Sequence, residues 1–427
     1  MKRARPLLVG LLSLALLVTA CGDGDGEATT TAAPDDGATT TAAPDDGATT
    51  TAAPDDGATT TEVAGEPIVV GAIFDLSGPT SDVGVPFAEG AQAYIAWLNA
   101  NGGVEGRPIE LLSQDYEYDV ANAEQLFSQF VSEGAVAFFG WGTADTEALR
   151  TRVTEDEIPF QSASYAETLV DPAETPFNFV PAATYSQQLR IALRHIADEA
   201  GGENVEVALF HHDSPFGLSP LEDGHQYIAD AGLDIGLQNY PMPAGAVDYF
   251  GELSQASAQG AGYIIVQNVS SPAAQLAGDI QSQGIEATLF CLNWCADELL
   301  VELAGDATDG ALGVLPFAPP SQATGDLSSV EAYLSDAGQS LDEVNLHFTQ
   351  GWYQFSVVVA AMEYALAEGM DLTGPNIKTA LEEMPPLETP VTSAIHFTAE
   401  SHAGMETVRV YEVQDGNWVA ITDAITP

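Results

Sequence analysis

The sequence predicts an α/β protein built of two Rossmann-like lobes with parallel sheets, and three observations carry that expectation. From Ile68 onward, short apolar runs alternate with amphipathic stretches of helical period, the pattern of parallel strands covered by helices on both faces. The alternation runs through two series separated by the loop-rich segment PFNFVPAATYS (176–186), and it holds too many strands for one sheet. Hydrophobic residues make up 45% of the 427 positions, enough to fill real cores.

The chain opens MKRARPLLVGLLSLALLVTAC, a basic start, an apolar run from Leu7 to Val18, then small residues before Cys21. The run is too short to span a bilayer as a helix and reads as a secretory signal over 1–20. Val18-Thr19-Ala20-Cys21 resembles a bacterial lipobox, which implies cleavage before Cys21 and lipidation of its side chain. Residues 21–65 then read as a lipidated tether. TTTAAPDDGA occurs three times in register, at 29–38, 39–48 and 49–58, without a large apolar residue to build a core. Pro, Gly and Asp oppose regular structure there, and the roughly 44 residues before the first strand reach about 145 Å when stretched.

The first series begins with IVVGAIF (68–74), a buried strand, followed by a helix with Phe87, Ala91, Tyr94, Ile95 and Leu98 on one face. NANGGVEGR (99–107) ends that helix and turns into the strand IELLSQD (109–115), then a helix over 120–133. VAFFG (136–140) is the third strand, and GWGTADTEAL leads directly into a helix. In the second series a helix near 185–200 precedes the strand VEVALFHHD (205–213), a helix over 218–231 and a strand at 234–240. A helix over 248–259, YIIVQN (263–268), a helix at 272–283, ATLFCL (287–292) and a helix at 296–304 follow. The tail has a long amphipathic helix at 346–368, a second at 374–384, and the short strands IHF, TVRVYEV and WVAIT with the turn QDGN (414–417) between the last two.

Charge limits the partners. Ten Lys and Arg stand against 63 Asp and Glu, a formal net charge of −53, and Lys2, Arg3 and Arg5 lie in the leader. Such a surface lacks the clustered cations that bind nucleic acid or anionic lipid. The chain carries no G-x-S-x-G, H-E-x-x-H or G-x-x-x-x-G-K-[ST] motif. G-W-G-T-A-D misses the dinucleotide fingerprint, because Asp145 stands where its third glycine belongs. His211-His212-Asp213 is a poor chelate, since neighbours on a strand face opposite ways. No metal, cofactor or catalytic residue is therefore expected. Cys291 and Cys295, in CLNWC, are the only cysteines besides Cys21; their spacing in an exported chain makes a disulfide possible, with two free thiols as the alternative.

With these pieces in order, the chain resembles the type I periplasmic binding proteins, the leucine/isoleucine/valine-binding and amide-binding components of ABC importers. The resemblance rests on IVVGAIFDLSGPTSDVGVPFAEGAQAYIAWLNANGGVEGRPIELLSQD, on EDEIPFQSASY (155–165), on VALFHHDSPFG, and on the closing HAG…VRVYEVQDGNWV. It covers about residues 66–425. It implies two lobes joined by a three-crossover hinge, with crossings near 179–184, 313–318 and 394–405. One lobe would take 66–182 and 317–395, the other 183–316 and 396–427.

The resemblance also implies a ligand held by one jaw at Gly142, Thr143, Ala144 and Asp145 and at Ser162, Ser164 and Tyr165. The other jaw would use Phe216, Gln267, Asn268 and Asn293, with Trp141, Tyr165, Phe216 and Trp294 as apolar walls. Backbone amides and hydroxyls at a helix start suit a carboxylate or amide oxygen. Asn293 is a departure, since amino-acid-binding members carry an acid near it to pair with the ligand ammonium; Asp145 or Asp213 could take that part. The implied function is a monomeric, lipid-anchored solute receptor outside the cytoplasmic membrane, partnered by ABC permease subunits. Its ligand would be an amino acid or amide, with a sensing role or a non-amino-acid ligand (amide, amine, aromatic acid) as the alternatives.

Overall fold

The structure, a computed structural model, describes residues 65–427. The export signal, Cys21 and the repeat tether lie outside the described residues.

The first series folds as expected through α3, with β1 (Ile68–Phe74), α1 (Ser81–Ala100), β2 (Ile109–Asp115), α2 (Val120–Ser132), β3 (Ala137–Gly140) and α3 (Thr143–Glu155), followed by the short strands β4 (Phe160–Ser162) and β5 (Asn178–Phe179). These strands form one parallel five-stranded sheet in the order β2-β1-β3-β4-β5. β5 falls inside the segment read as a break, and only two residues pair because Pro176 and Pro181 flank it.

The second series gives α4 (Tyr185–Glu199), β6 (Val205–His212), α5 (Pro215–Leu218), α6 (Leu221–Ala231), β7 (Ile235–Met242), α7 (Phe250–Ala258), β8 (Ala261–Gln267), α8 (Ser270–Gln283), β9 (Thr288–Cys291), α9 (Glu298–Ala304) and β10 (Leu312–Leu315). The helix expected over 218–231 is split, because Pro220 stands at the N-cap of α6. α10 (Ser328–Asp336), α11 (Leu346–Ala367), α12 (Gly374–Glu383), β11 (Arg409–Gln414) and β12 (Asn417–Ala420) complete the chain. The second sheet has seven strands in the order β12-β11-β10-β9-β8-β6-β7. It is parallel except where β11 runs antiparallel to β10 and to β12. IHF is not a strand: Ile395 makes one isolated bridge to Leu387.

α11 departs from its amphipathic pattern. Every residue from Leu346 to Phe355 is buried, so its first turns are enclosed on all sides. Its polar groups bond inside the protein: His347 Nδ1 with Gln350 Oε1 at 2.8 Å, and Gln350 Nε2 to the Tyr165 hydroxyl at 2.6 Å. α11 packs on α1 at backbone contact. A Cβ on Gly90 would lie 1.9 Å from the Phe348 carbonyl oxygen, and one on Gly351 2.0 Å from that of Phe87. Glycine at both positions lets these helices touch, which fixes α1 and the loop before it beside the ends of the strands.

Candidate binding cleft

A narrow cleft lies where the C-terminal ends of strands from both sheets meet, the usual ligand position in open α/β sheets. From the five-stranded sheet come Thr80 and Val83 after β1, Tyr118 after β2, Trp141, Gly142 and Thr143 after β3, and Ala163 after β4. Phe216 after β6, Val269 after β8 and Trp294 after β9 come from the seven-stranded sheet, and Tyr185 from the start of α4.

The turn at Trp141-Gly142-Thr143 is built tightly. Trp141 Nε1 donates to Thr80 Oγ1 at 2.9 Å, and the Thr80 hydroxyl donates to buried Asp75 at 2.7 Å. That chain fixes one ring of the cleft against the loop after β1. Gly142 is needed for space, since a Cβ there would lie 2.7 Å from the Tyr116 hydroxyl. Thr143 begins α3, and its hydroxyl lies 2.7 Å from Ser164 Oγ. The Thr143 amide, first in α3, has no intrahelical carbonyl to bond, so it and the Thr143 hydroxyl are the donors at this end of the cleft.

Asp145 does not face the cleft. It is 1% exposed; its Oδ1 accepts the Tyr116 hydroxyl at 2.9 Å and its Oδ2 the Gly142 amide at 3.2 Å. Burial pushes its pKa up to about 7 against the hydrogen bonds from Tyr116 and the turn amides. The side chain thus closes the start of α3 from behind. Asp213 is exposed and also absent from the lining.

The facing wall is aromatic. Trp294 Nε1 donates to the Tyr185 hydroxyl at 2.9 Å, and the ring lies 5.2 Å from that of Trp141. Trp294 also stacks on Tyr165, at 5.6 Å and 20°, and on His347, at 5.2 Å and 23°. Phe216 meets Tyr185 edge-on at 5.3 Å. Burial raises the Tyr118 and Tyr185 hydroxyls above their ordinary range, so both stay neutral. None of the eleven lining residues is Asp, Glu, Lys, Arg or His.

Five of the residues expected at the site line the cleft together: Trp141, Gly142, Thr143, Phe216 and Trp294. The others sit behind it or beside it. Ala144 follows Thr143 in α3, outside the lining. Ser162 donates to the Ser164 carbonyl at 3.0 Å, and the Tyr165 hydroxyl accepts amides from Gln350 and Gln354 of α11. Gln267 holds the Phe216 carbonyl at 3.2 Å. Asn268 caps the Val269 amide at 2.8 Å and borders a separate groove with Asp82 and His212. Asn293 is fully buried off the cleft, and its side-chain nitrogen and oxygen meet no hydrogen-bond partner among the described residues. Ala163 lines the cleft from within the expected turn 162–165, whereas Thr80, Val83, Tyr118, Tyr185 and Val269 were not expected. Thr80 and Val83 fall within DLSGPTSDVG and Tyr185 opens the expected helix near 185–200, but Tyr118 lies in a turn without a periodic signal.

The possible disulfide is corrected: Cys291 and Cys295 are free, buried thiols. Cys295 Sγ bonds the Val266 carbonyl at 3.4 Å, because the short 3-10 turn over Asn293–Cys295 directs it back into the sheet. Among the described residues, no three His, Cys, Asp or Glu side chains converge as metal ligands, and no helix is long and apolar enough to cross a membrane.

Comparison with known proteins matches this architecture. The Leu/Ile/Val-binding protein homolog 7 of Brucella suis is 26% identical over 189 residues, 42% of this chain and 47% of that protein, so the match spans about half of the relative. The structure of a branched-chain amino acid ABC transporter protein from Thermus thermophilus with bound valine superposes with a TM-score of 0.79 at 25% identity, covering 85% of this chain and 97% of the other. A substrate-binding protein of an ABC transporter from Aeropyrum pernix gives 0.76 at 27% identity, with coverage of 85% and 97%. The model of the periplasmic binding protein family matches residues 67–417. The chain therefore belongs to the periplasmic binding proteins, a family of solute-binding proteins, and has their type I fold of two α/β lobes.

Proposed function

We propose that this chain is the lipid-anchored, extracytoplasmic solute-binding component of an ABC importer, and that it captures a small ligand by closure of the two lobes without covalent chemistry. The ligand has a carboxylate or amide at one end and an apolar body, and lacks an ammonium group. The observation that carries this is the composition of the cleft: the amide and hydroxyl of Thr143 at one end, aromatic rings around the rest, and no ionised side chain to pair with an amine.

Lobe closure needs a hinge, and pairing between the expected crossings supports one. Val180 donates to the His402 carbonyl at 3.0 Å, and the Gly404 amide donates to the Val180 carbonyl at 2.7 Å. Anchoring through Cys21 and the tether rests on the sequence. A branched-chain amino acid is the second reading, favoured by the likeness to the valine-bound Thermus protein. Against it stands the missing countercharge, since Asp145, Asp213 and Asn293 all lie off the lining.

A thermal-shift screen of amino acids, amides, amines and aromatic acids tests the proposal. A true ligand at a hundred times its dissociation constant stabilises by about 2.7 kcal/mol. Stabilisation by carboxylates or amides lacking an amine is expected. Turnover of a compound, without binding of any member of the panel, would overturn the receptor reading.

A further inference from the structure

Behind Trp294, four ionisable side chains meet where elements flanking the two sheets touch. His347 Nε2 of α11 lies 3.2 Å from Asp297 Oδ2, and both side chains are fully buried. Glu298 Oε2 of α9 accepts the Leu346 amide at 2.8 Å. On the other side, Asp82 of α1 accepts the Ser271 amide of α8 at 2.7 Å. Each bond joins an element of one expected lobe to an element of the other, and His347 stacks directly on Trp294 in the cleft wall. We propose that Asp82, Asp297, Glu298 and His347 form a proton-binding latch that holds the lobes closed and positions Trp294, so that capture takes up protons. The inference rests on the lobe closure proposed above.

The surroundings fix its sign. Glu298 opens on a wide groove that also holds Glu89, Glu302, Asp342 and Glu343, with no Lys or Arg in its lining. Buried Cys291 also faces Asp297, and burial keeps its thiol neutral. Burial raises Glu298 to about 7 and raises Asp82 above the usual carboxylate range. Burial lowers His347, but the carboxylate of Asp297 at 3.2 Å outweighs it and leaves the imidazole raised. Opening returns the two acids to water and takes Asp297 from His347, so all three pKa values fall. The closed state therefore binds more protons, and by linkage a falling pH favours it. Above pH 7 an ionised Glu298 faces only like charges across its groove, which opposes closure.

Hydrogen exchange of the full chain at pH 6 and pH 8, corrected for the intrinsic pH dependence of exchange, reads the latch through peptides containing Ser271 and Leu346. About tenfold greater protection at pH 6 is expected. Glu298→Gln retains an oxygen for the Leu346 amide without the charge, and should protect Leu346 at pH 8 as well as at pH 6. Asp82→Asn does the same for Ser271, and gives an independent test should the first variant fail to fold. Equal wild-type protection at both pH values overturns the latch and leaves ligand capture standing. Absence of protection at both amides and both pH values overturns lobe closure with it.

Discussion

The cleft and the cluster behind Trp294 lie a ring's thickness apart between the same two sheets, yet they are built from opposite chemistry. The cleft is uncharged and walled by Trp141, Trp294, Tyr185 and Phe216, whereas the cluster holds three carboxylates and an imidazole. On the proposed reading, the contrast separates two tasks. Recognition is left to shape, ring faces and a few donors, which keep their strength in a protein of net charge −53. Closure is given to charges that water and protons can switch.

Several substitutions would break or sharpen this division, and the largest effect belongs to the residue shared by both regions. Trp294→Ala removes the ring that faces the cleft and covers His347, so affinity for any carboxylate or amide found in the screen should fall on the order of a hundredfold by calorimetry, in keeping with buried aromatic anchors. An unchanged affinity would remove Trp294 from recognition. Asn293→Asp places a charge in a fully buried position and should cost about 2 kcal/mol in denaturant unfolding without creating affinity for leucine. Gain of leucine binding would restore the role inferred from the family resemblance. Thr143→Val, which removes one hydroxyl, should weaken binding about tenfold.

Asp145 separates proton effects on stability from those on closure. Its folded-state pKa of about 7 is raised, so its contribution to stability is full near pH 4 and is lost as pH rises through 7. Between pH 5 and 7.5 the wild type should lose on the order of 1 kcal/mol more than Asp145→Asn, measured by chemical unfolding. Exchange at Ser271 should keep its pH dependence in that variant. The smallest expected effect is general: added NaCl screens the self-repulsion and should raise the melting temperature by a few degrees. A steady fall would contradict that.

The fold was largely legible because strand and helix periods differ, and IVVGAIF, IELLSQD and VEVALFHH became β1, β2 and β6 almost residue for residue. Short pairings such as β5 and β10 were missed, since two to four residues carry no period. The site was legible at Trp141-Gly142-Thr143, where an apolar run ends in glycine and a helix starts. It was illegible at Tyr118, in the turn after β2, and at Tyr185, at the start of α4, which reach the cleft only because distant segments converge. Asn293 and Trp294 show the limit most clearly. They are adjacent in one 3-10 turn, but the turn sends the indole into the cleft and leaves the amide buried away from it. Spacing along the chain does not reveal which of the two faces inward.

The most direct test compares leucine with 4-methylpentanoate, which keeps the side chain and carboxylate and lacks only the amine, by calorimetric titration of the same preparation. Binding of 4-methylpentanoate at least tenfold tighter than leucine is the result expected of a cleft without an ammonium partner. Tighter binding of leucine would contradict it, and would mean that an acid off the lining reaches the ligand after all.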